Sequence, residues 1–182
     1  MVDPEFQRHD AQSAKALLSE LVDVYATVYD TPPYVGDPFF SVESFRNRLE
    51  AAFDSEGFET VTARLDGDIV GYVHGATLPN DKPWWTSLST RRPTQLQDLA
   101  NYKGIFWLRE LMVLPTHQNH GLGRQIHDTV ISGREEKVTA LTCIVDNQPA
   151  HDAYVRWGYK ILGQIKHAPE SPIYDAMYLT SH

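Results

Sequence analysis

Apolar residues follow helical spacing in two stretches near the start of the chain. They recur every three or four positions along residues 13–29 and again along residues 42–53. Ser41 directly precedes the second stretch and suits a helix N-cap. Between the two stretches lie Pro32 and Pro33, and consecutive prolines cannot continue a helix. The pattern therefore predicts two amphipathic helices separated by a proline-containing turn.

The pattern then changes to the two-residue alternation of half-buried strands. Residues 59–65 alternate, Asp66-Gly67 is a tight hairpin signal, and residues 68–77 form the partner strand. Further strands are predicted at residues 105–113, 138–145, 160–167 and 173–180, with residues 6–8 as a short first strand. Residues 138–145 are continuously apolar, which is typical of a strand buried on both faces.

The remaining segments complete a mixed order of helices and strands. Residues 78–103 contain three prolines and are interpreted as an extended loop, with a short helical piece at 95–100. Helices are predicted at residues 121–135 and after Ala150. This order predicts an α/β fold, α+β mixed, with a central sheet and helices on both faces. A chain of 182 residues without a linker is most simply one domain, residues 1–182.

A glycine-containing loop joins the strand at 105–113 to the next helix. It reads Gln118-x-x-Gly121-x-Gly123, and the glycines allow the backbone to approach a ligand closely. The N–H groups at the start of the helix favour an anion such as a pyrophosphate. The spacing fits neither the Walker loop nor the dinucleotide fingerprint. The loop therefore predicts a phosphate-bearing cofactor, and the alternative is a plain strand–helix turn.

A second motif begins at Asn147, after the strand at 138–145. Ala150 and Tyr154 are four residues apart, so they share one helix face. Gly158 can end that helix in the left-handed conformation that glycine tolerates. A small residue at 150 leaves room for an extended ligand that Tyr154 could reach. The alternative for Tyr154 is an aromatic residue of the core.

Together the two motifs resemble the signatures of the GNAT superfamily, the acyl-CoA-dependent N-acetyltransferases. The resemblance covers nearly the whole chain in element order, but only residues 110–159 in motifs. It implies a mixed, mostly antiparallel sheet of six to seven strands, splayed between strands 4 and 5 to admit the cofactor. It also implies that residues 1–182 form a single N-acetyltransferase domain and that the cofactor is acetyl-CoA.

The resemblance assigns cofactor contacts to the strand, the glycine loop and the second motif. Backbone N–H groups near the end of the strand would stabilise the oxyanion, and the loop would hold the pyrophosphate. Arg124 would be either a charge partner or a solvated helix residue. The expected cofactor-binding residues are Leu111, Met112, Val113, Gln118, Asn119, His120, Gly121, Leu122, Gly123, Arg124, Asn147, Ala150 and Tyr154.

Acyl transfer to a primary amine requires proton transfer at both ends of the reaction. An amine similar to lysine has a pKa of about 10, so it must lose a proton before it attacks. Glu110, beside the expected thioester, or an ordered water is the expected base, with Asp146 as second candidate. The alternative for Glu110 is a salt-bridged strand residue. Tyr154 matches the residue that protonates the departing thiolate in many members of the family.

The acceptor site is expected among aromatic residues in turn-rich segments. Tyr34, Trp84 and Trp85 are candidate substrate-binding residues, because aromatic rings can line a pocket or stack on a cation. Asp146 is the fourth candidate substrate-binding residue. The alternative is that Trp84 and Trp85 anchor the long loop. The expected partner is a small cationic amine, such as an aminoglycoside-like sugar or a polyamine. Acetylation of a protein or peptide amine, and a non-catalytic acyl-CoA sensor, remain open.

Charge and composition narrow the partners and the compartment. The formal net charge of −8 argues against nucleic acid and is permissive for a cationic substrate. No run is long enough to cross a membrane and the N-terminus is too acidic for a signal peptide, so a cytoplasmic location is expected. Family members are often dimers, which allows for a homodimer.

Cysteine and histidine usage argues against thiol and metal chemistry. Cys143 is the single cysteine, and its apolar surroundings predict a buried thiol without a nucleophilic role. The histidines at 117, 120, 127 and 151 fit no standard zinc spacing and are interpreted as surface or loop residues. No metal site is therefore predicted.

Overall fold

A computed structural model describes residues 2–181 as an alternation of helices and strands. The helices are α1 (Ala11–Lys15), α2 (Leu18–Val28), α3 (Val42–Ala52), α4 (Pro83–Thr86), α5 (Thr94–Lys103), α6 (Leu122–Ser132) and α7 (Gln148–Arg156). The strands are β1 (Glu5–His9), β2 (Glu59–Leu65), β3 (Asp68–Thr77), β4 (Ile105–Val113), β5 (Val138–Ile144), β6 (Lys160–Ile165) and β7 (Tyr174–Thr180). The strand order is β1-β2-β3-β4-β5-β7-β6.

The sheet is mostly antiparallel, as expected. β4 and β5 pair in parallel, and their register joins Ile105–Trp107 to Val138–Ala140, while β4 continues beyond it to Val113. β5 pairs with β7 along its whole length, from Val138 opposite Thr180 to Ile144 opposite Tyr174. The mixed fold with a seven-stranded sheet confirms the sequence-based prediction.

The chain divides into two compact units. The first contains the residues up to Ala76 together with Arg109–Gly133, and the second contains Thr77–Leu108 together with the residues from Arg134 onward. The first unit carries the glycine loop and Glu110. The second carries α7 with Tyr154.

Both faces of the sheet are covered in the first unit. Consecutive strand residues point to opposite faces, so Gly71 and Tyr72 of β3 report on the two sides. The Tyr72 hydroxyl donates a hydrogen bond to the Leu21 carbonyl of α2 at 2.9 Å. On the other face, a Cβ atom added at Gly71 would lie 3.0 Å from the Ile126 Cδ1 atom of α6. Helices α2 and α6 therefore pack on opposite faces.

Position 71 requires glycine because the backbone of β4 passes close to it. A Cβ atom there would lie 2.8 Å from the Met112 carbonyl oxygen and 3.3 Å from the Val113 Cα atom, both backbone atoms. Gly71→Ala is therefore expected to lower the free energy of unfolding by about 1–3 kcal/mol, the usual cost of overpacking. Urea unfolding measures it. Gly163→Ala is the control, because its nearest neighbours are ends of the Arg91 and Leu88 side chains; an equal loss in both variants would contradict the argument.

The second unit is also covered on both faces. Ala176 of β7 belongs to an apolar cluster with Leu96 and Ala100 of α5. The preceding residue, Asp175, points to the opposite face and contacts His151 of α7 through a 3.0 Å hydrogen bond. Helices α5 and α7 therefore lie on opposite faces.

Two predicted segments differ from the structure. The helix predicted at residues 13–29 is two helices, because the Leu17 N–H bonds to the Ala14 carbonyl three residues back and ends α1. Residues 78–103, interpreted as an extended loop with a short helical piece at 95–100, contain α4 and the longer helix α5. The prolines were taken as signs of a loop, but proline is tolerated in and just before the first turn of a helix. Pro83 occupies the first turn of α4, and Pro93 directly precedes α5. In the described range, no helix has the length and apolar character that crossing a membrane requires.

Candidate active site

The glycine loop builds an anion-binding helix start in the first unit. Asn119 and Gly121 adopt left-handed backbone conformations with φ of 65° and 84°. Gly121 is the N-cap of α6, and within residues 2–181 no side chain caps its N–H groups. The Gln118 side chain instead donates a hydrogen bond from Nε2 to the Val113 carbonyl at 2.9 Å and ties the loop to β4. The first N–H groups of α6 are thus placed to bind an anion.

Conformation rather than space explains the glycine at position 121. A Cβ atom there would meet no atom within 4 Å, so a side chain would fit. The left-handed conformation, however, costs other residues roughly 1–2 kcal/mol. The loop therefore holds its shape most cheaply with glycine at this position.

Arg124 points along α6 toward Asp128. Its Nε atom lies 3.0 Å from Asp128 Oδ2 and 3.1 Å from Oδ1, and about half of the side chain is exposed. This pairing favours the solvated-helix interpretation of Arg124. His127 is 2 % exposed, so its interpretation as a surface or loop histidine was wrong. Burial lowers its pKa, although the hydrogen bond from its Nδ1 to Asp128 opposes that shift.

Glu110 lies in β4 within a group of polar side chains of the first unit. Burial raises the pKa of Glu110, and the positive charges of Arg48 and Arg109 act against that rise. Burial and the Glu110 charge also raise the pKa of Tyr25 to about 12 and that of Tyr72 well above its ordinary value. A carboxyl group with a raised pKa holds a proton more tightly than an exposed one, which suits a general base.

His74, in the same unit, shares the electrostatic environment of Arg48 and Arg109. It is 3 % exposed, and neither ring nitrogen has a hydrogen-bond partner in the described part of the chain. Burial, with the two guanidinium charges, lowers its pKa to about 3, so the ring is neutral at physiological pH. Nothing in the sequence pattern predicted a buried histidine at this position.

Helix α7, in the second unit, presents Tyr154. The Asn147 side chain caps the helix by accepting the Ala150 N–H at 3.4 Å. At the other end Gly158 has a φ of 100°, and the Tyr159 N–H returns to the Tyr154 carbonyl at 3.0 Å. The Tyr154 ring packs edge-on against Trp157, with centroids 5.4 Å apart. The helix carrying Ala150 and Tyr154 is therefore fixed at both ends.

A histidine–aspartate pair was missed by sequence reasoning. His151 Nε2 lies 3.0 Å from Asp175 Oδ2, and Asp175 is opposite Cys143 in the β5–β7 register. His151 is only partly exposed, so its interpretation as a surface or loop residue overlooked this contact. Burial and the Asp175 charge raise the pKa of Cys143 to about 12. The thiol is therefore protonated, which agrees with its predicted inert role.

The four candidate substrate-binding residues fall into different environments. Trp84 and Trp85 are 4 % and 3 % exposed and belong to the core of the second unit, which favours the anchoring interpretation. Asp146 is exposed after β5. Tyr34 lines a cavity of about 500 Å³ in the first unit, beside Tyr25, Tyr29 and Phe40. Within the described chain, no group of three or more histidine, cysteine or acidic residues could hold a metal ion.

The uncapped helix start after β4 is typical of a class of proteins that bind a phosphate-bearing ligand. Residues 18–159 match the model of the "Acetyltransferase (GNAT) family". The chain therefore belongs to the GNAT acetyltransferase family. It is an acyltransferase of the kind that uses acetyl-CoA. No curated protein matches the chain significantly.

Solved structures share the fold over nearly the full length. PH1933 from Pyrococcus horikoshii OT3 is 20% identical with a TM-score of 0.67, covering 98% of this chain and 99% of its own. YncA from Salmonella typhimurium, a putative acetyltransferase solved with acetyl-CoA, is 15% identical with a TM-score of 0.62, covering 100% and 95%. An aminoglycoside 6'-acetyltransferase type Ii is 16% identical with a TM-score of 0.64, covering 97% and 96%.

Proposed function

We propose that this chain is an N-acetyltransferase that moves an acetyl group from acetyl-CoA to a primary amine of a small cationic molecule. The observation that carries the proposal is the uncapped start of α6 directly after the strand that holds Glu110. A cofactor-binding loop and a base thus come from one short stretch of sequence. We further propose that residues 1–182 act as one domain of the family, because each unit carries one of its two motifs.

Cofactor binding is assigned to the loop and to α7. The backbone N–H groups of residues 118–124 would bind the pyrophosphate, because they include the start of α6, where the N-cap Gly121 provides no side-chain cap. Ala150 would leave room for the pantetheine arm. The side-chain oxygen of Asn147, Oδ1, already caps α7, so the N–H₂ group of the same side chain is the group that would hold the pantetheine. Arg124 is a weaker candidate because it pairs with Asp128.

The chemistry follows from where protons must go. Acetyl-CoA supplies a thioester, at which the C–N bond forms and the C–S bond breaks. Glu110, directly or through a water, takes a proton from the substrate ammonium and so leaves the neutral amine that attacks the thioester carbon. Backbone N–H groups around Leu111, Met112 and Val113 would stabilise the negative charge that develops on the carbonyl oxygen. Tyr154 gives its proton to the departing sulfur, and the second proton that the nitrogen loses after the C–N bond forms restores the Tyr154 hydroxyl, so the products are an acetamide and the free thiol.

The choice of Glu110 over Asp146 rests on their surroundings. Glu110 is partly buried, and burial raises its pKa, whereas Asp146 is exposed to solvent. A base whose pKa is raised toward the working pH transfers protons more efficiently. Glu110 is therefore the better base. Asp146 is left as a candidate contact to a cationic substrate.

A small cationic acceptor is supported by charge and by the cavity at Tyr34. The chain carries a net charge of −8, and the cavity is lined by aromatic rings and by Asp30 and Asp37. One solved structure of the same fold is an aminoglycoside 6'-acetyltransferase type Ii. A peptide amine is the second acceptor class, and a panel of free amines against peptides separates the two.

Ligand-induced stabilisation tests the cofactor assignment. Acetyl-CoA or CoA at about a hundred times its dissociation constant should raise the free energy of unfolding by about 2.7 kcal/mol, which is visible as a higher melting temperature. NAD serves as the control, because it also carries a pyrophosphate but no pantetheine arm. Stabilisation by CoA compounds and not by NAD is the expected result. Equal or absent shifts would remove the basis for the acetyltransferase assignment.

A further inference from the structure

Helix α7 rests on the sheet of the second unit with little apolar burial of its own. Among its described residues, Gln148–Arg156, none is fully buried, and Ala150 and Tyr154 are only partly covered. Helix α5, on the other face of the sheet, buries Leu96 and Ala100. Packing of an apolar face is what usually fixes a helix on its neighbours. The place of α7 on the sheet therefore depends more than usual on polar contacts.

A hydrogen bond from His151 supplies such a contact. His151 Nε2 lies 3.0 Å from Asp175 Oδ2 of β7. An ionised carboxylate only accepts, so Nε2 carries the hydrogen and donates it. The His151 side chain is 19 % exposed and that of Asp175 11 %, so both groups are largely removed from water. A hydrogen bond to a charged group in such surroundings is stronger than one at the surface, and here it joins the start of α7 to the sheet.

Asp175 is a rigid attachment point because β7 lies inside the sheet, between β5 and β6. Its partner in β5 is Cys143, and its partner in β6 is Gln164. Both pairings are antiparallel, so backbone hydrogen bonds on either side hold this part of β7 in place. A helix that is tied to Asp175 is therefore tied to the body of the sheet.

The hydrogen bonds at the two ends of α7 are local and do not set its place on the sheet. The Asn147 side chain accepts the Ala150 N–H, and the Tyr159 N–H bonds back to the Tyr154 carbonyl. Each of these bonds joins residues of the same short segment, so each fixes where the helix begins or ends. His151 differs because its partner is 24 positions away in β7.

His151 also lies between the two residues of α7 that are assigned to the cofactor. It follows Ala150 directly and precedes Tyr154 by three positions, so His151 and Tyr154 share one helix face. The helix is stiff over this distance, and a slide or a turn at His151 would therefore move the Tyr154 hydroxyl by a similar amount. A misplacement of about 1 Å can lower a rate by about 100-fold.

We propose that His151 is a positioning residue for the acetyl transfer, because its hydrogen bond to Asp175 holds α7 where Tyr154 reaches the departing sulfur and Ala150 leaves room for the pantetheine arm. This role rests on the proposed function, which assigns Tyr154 and Ala150 to the reaction. The glycine loop that would hold the pyrophosphate belongs to the first unit. Loss of the hydrogen bond should therefore act on the thiol half of CoA and leave the nucleotide half bound as before.

Paired substitutions at His151 test the proposal. Leucine has no donor, whereas the side-chain amide of glutamine can donate in place of Nε2. At saturating acetyl-CoA, His151→Leu should lower kcat about tenfold or more, and His151→Gln should keep most of it. Calorimetric titration should show weaker binding of CoA to His151→Leu and unchanged binding of its nucleotide half, 3'-phosphoadenosine 5'-diphosphate. Asp152→Asn removes an exposed carboxylate of the same helix, 4.0 Å from His151 Nδ1, and is the control that should change none of these values.

A double variant shows whether His151 acts through Tyr154. Because the role of His151 is to aim Tyr154, His151→Leu should lower kcat much less in a Tyr154→Phe background than in the unmodified chain. Losses in kcat that multiply would show that the two residues act independently, which would overturn the positioning role. An equal loss in His151→Leu and His151→Gln, or equally weakened binding of CoA and of its nucleotide half, would overturn it as well.

Binding and turnover together separate this proposal from the acetyltransferase assignment. Both are measured at a temperature at which thermal unfolding shows every variant to be folded. CoA binding that His151→Leu weakens and His151→Gln restores, in a chain that acetylates no amine, would overturn the proposed function and keep the attachment of α7. Amine acetylation with the same kcat and the same CoA affinity in His151→Leu and in the unmodified chain would overturn the positioning role and keep the function.

Discussion

Replacing Tyr154 with phenylalanine is expected to lower kcat by about 100-fold or more, the usual contribution of a positioned general acid. The reason is that without a proton donor the sulfur must leave as a thiolate, which is a poorer leaving group than the protonated thiol. Ring packing against Trp157 and Tyr159 involves the aromatic ring rather than the hydroxyl, so it should survive the substitution. The dissociation constant for CoA, measured by calorimetry, should therefore change little. Single-turnover kinetics with the preferred amine measures the chemical step.

Tyr102→Phe is the matched control for Tyr154→Phe. Tyr102 is 73 % exposed, and it loses the same hydroxyl group without a role in the proposed chemistry. Its kcat should equal that of the unmodified chain, and both variants should unfold at the same temperature. Unchanged turnover in Tyr154→Phe would show that the departing sulfur takes its proton from another group. The core-facing interpretation of Tyr154 would then be preferred.

The strands around the glycine loop were predictable because their signals are local. The alternation of residues 59–65 and 68–77 gave the bounds of β2 and β3 as the structure has them. Asp66 and Gly67 have φ of 51° and 90°, which is the geometry that a two-residue hairpin needs. Gly121 and Gly158 likewise adopt the left-handed conformations expected from their places in the motifs. A backbone requirement of this kind can be predicted from the type of a single residue.

Other features depend on contacts between distant residues and left no local signal. The burial of His127 depends on what packs around α6, and the partner of His151 is 24 positions away in β7. The helix at residues 83–86 was not predicted, and the helix at 94–103 was predicted only in its middle, because a proline is taken to break a helix unless its place in or before the first turn is known. The cavity at Tyr34 also arises from tertiary packing, since the Tyr25 hydroxyl of α2 donates a hydrogen bond to the Phe40 carbonyl in the following turn.

Acceptor specificity is expected to depend on the side chains around the cavity at Tyr34 rather than on the fold. The solved structures of this fold are 20% identical or less, so they establish the fold and leave the acceptor open. The glycine loop and α7 are defined by backbone geometry that many sequences can provide. The aromatic and acidic side chains around the cavity at Tyr34 lie in α2 and in the turn that follows it. The acceptor is therefore better inferred from these side chains than from the solved structures.

Glu110→Gln is expected to lower kcat/KM by about 100-fold or more, because it keeps the shape of the side chain and removes the base. The pH profile provides a sharper test. Burial raises the pKa of Glu110, and only its carboxylate form can accept a proton, so kcat/KM should fall as the pH drops through that raised pKa. In Glu110→Gln this loss should disappear, and the remaining pH dependence should follow the amine, which must also lose a proton.

Glu56→Gln separates the loss of the base from the loss of one negative charge. Glu56 is exposed in the same unit, so its substitution should leave both kcat/KM and the pH profile unchanged. If Glu110→Gln kept full activity with the acidic loss intact, the base would be an ordered water or Asp146. If it lost activity but kept the same acidic loss, Glu110 would position the amine without accepting its proton. The proposed mechanism requires both the lower rate and the altered profile, because a group that accepts the proton must control both.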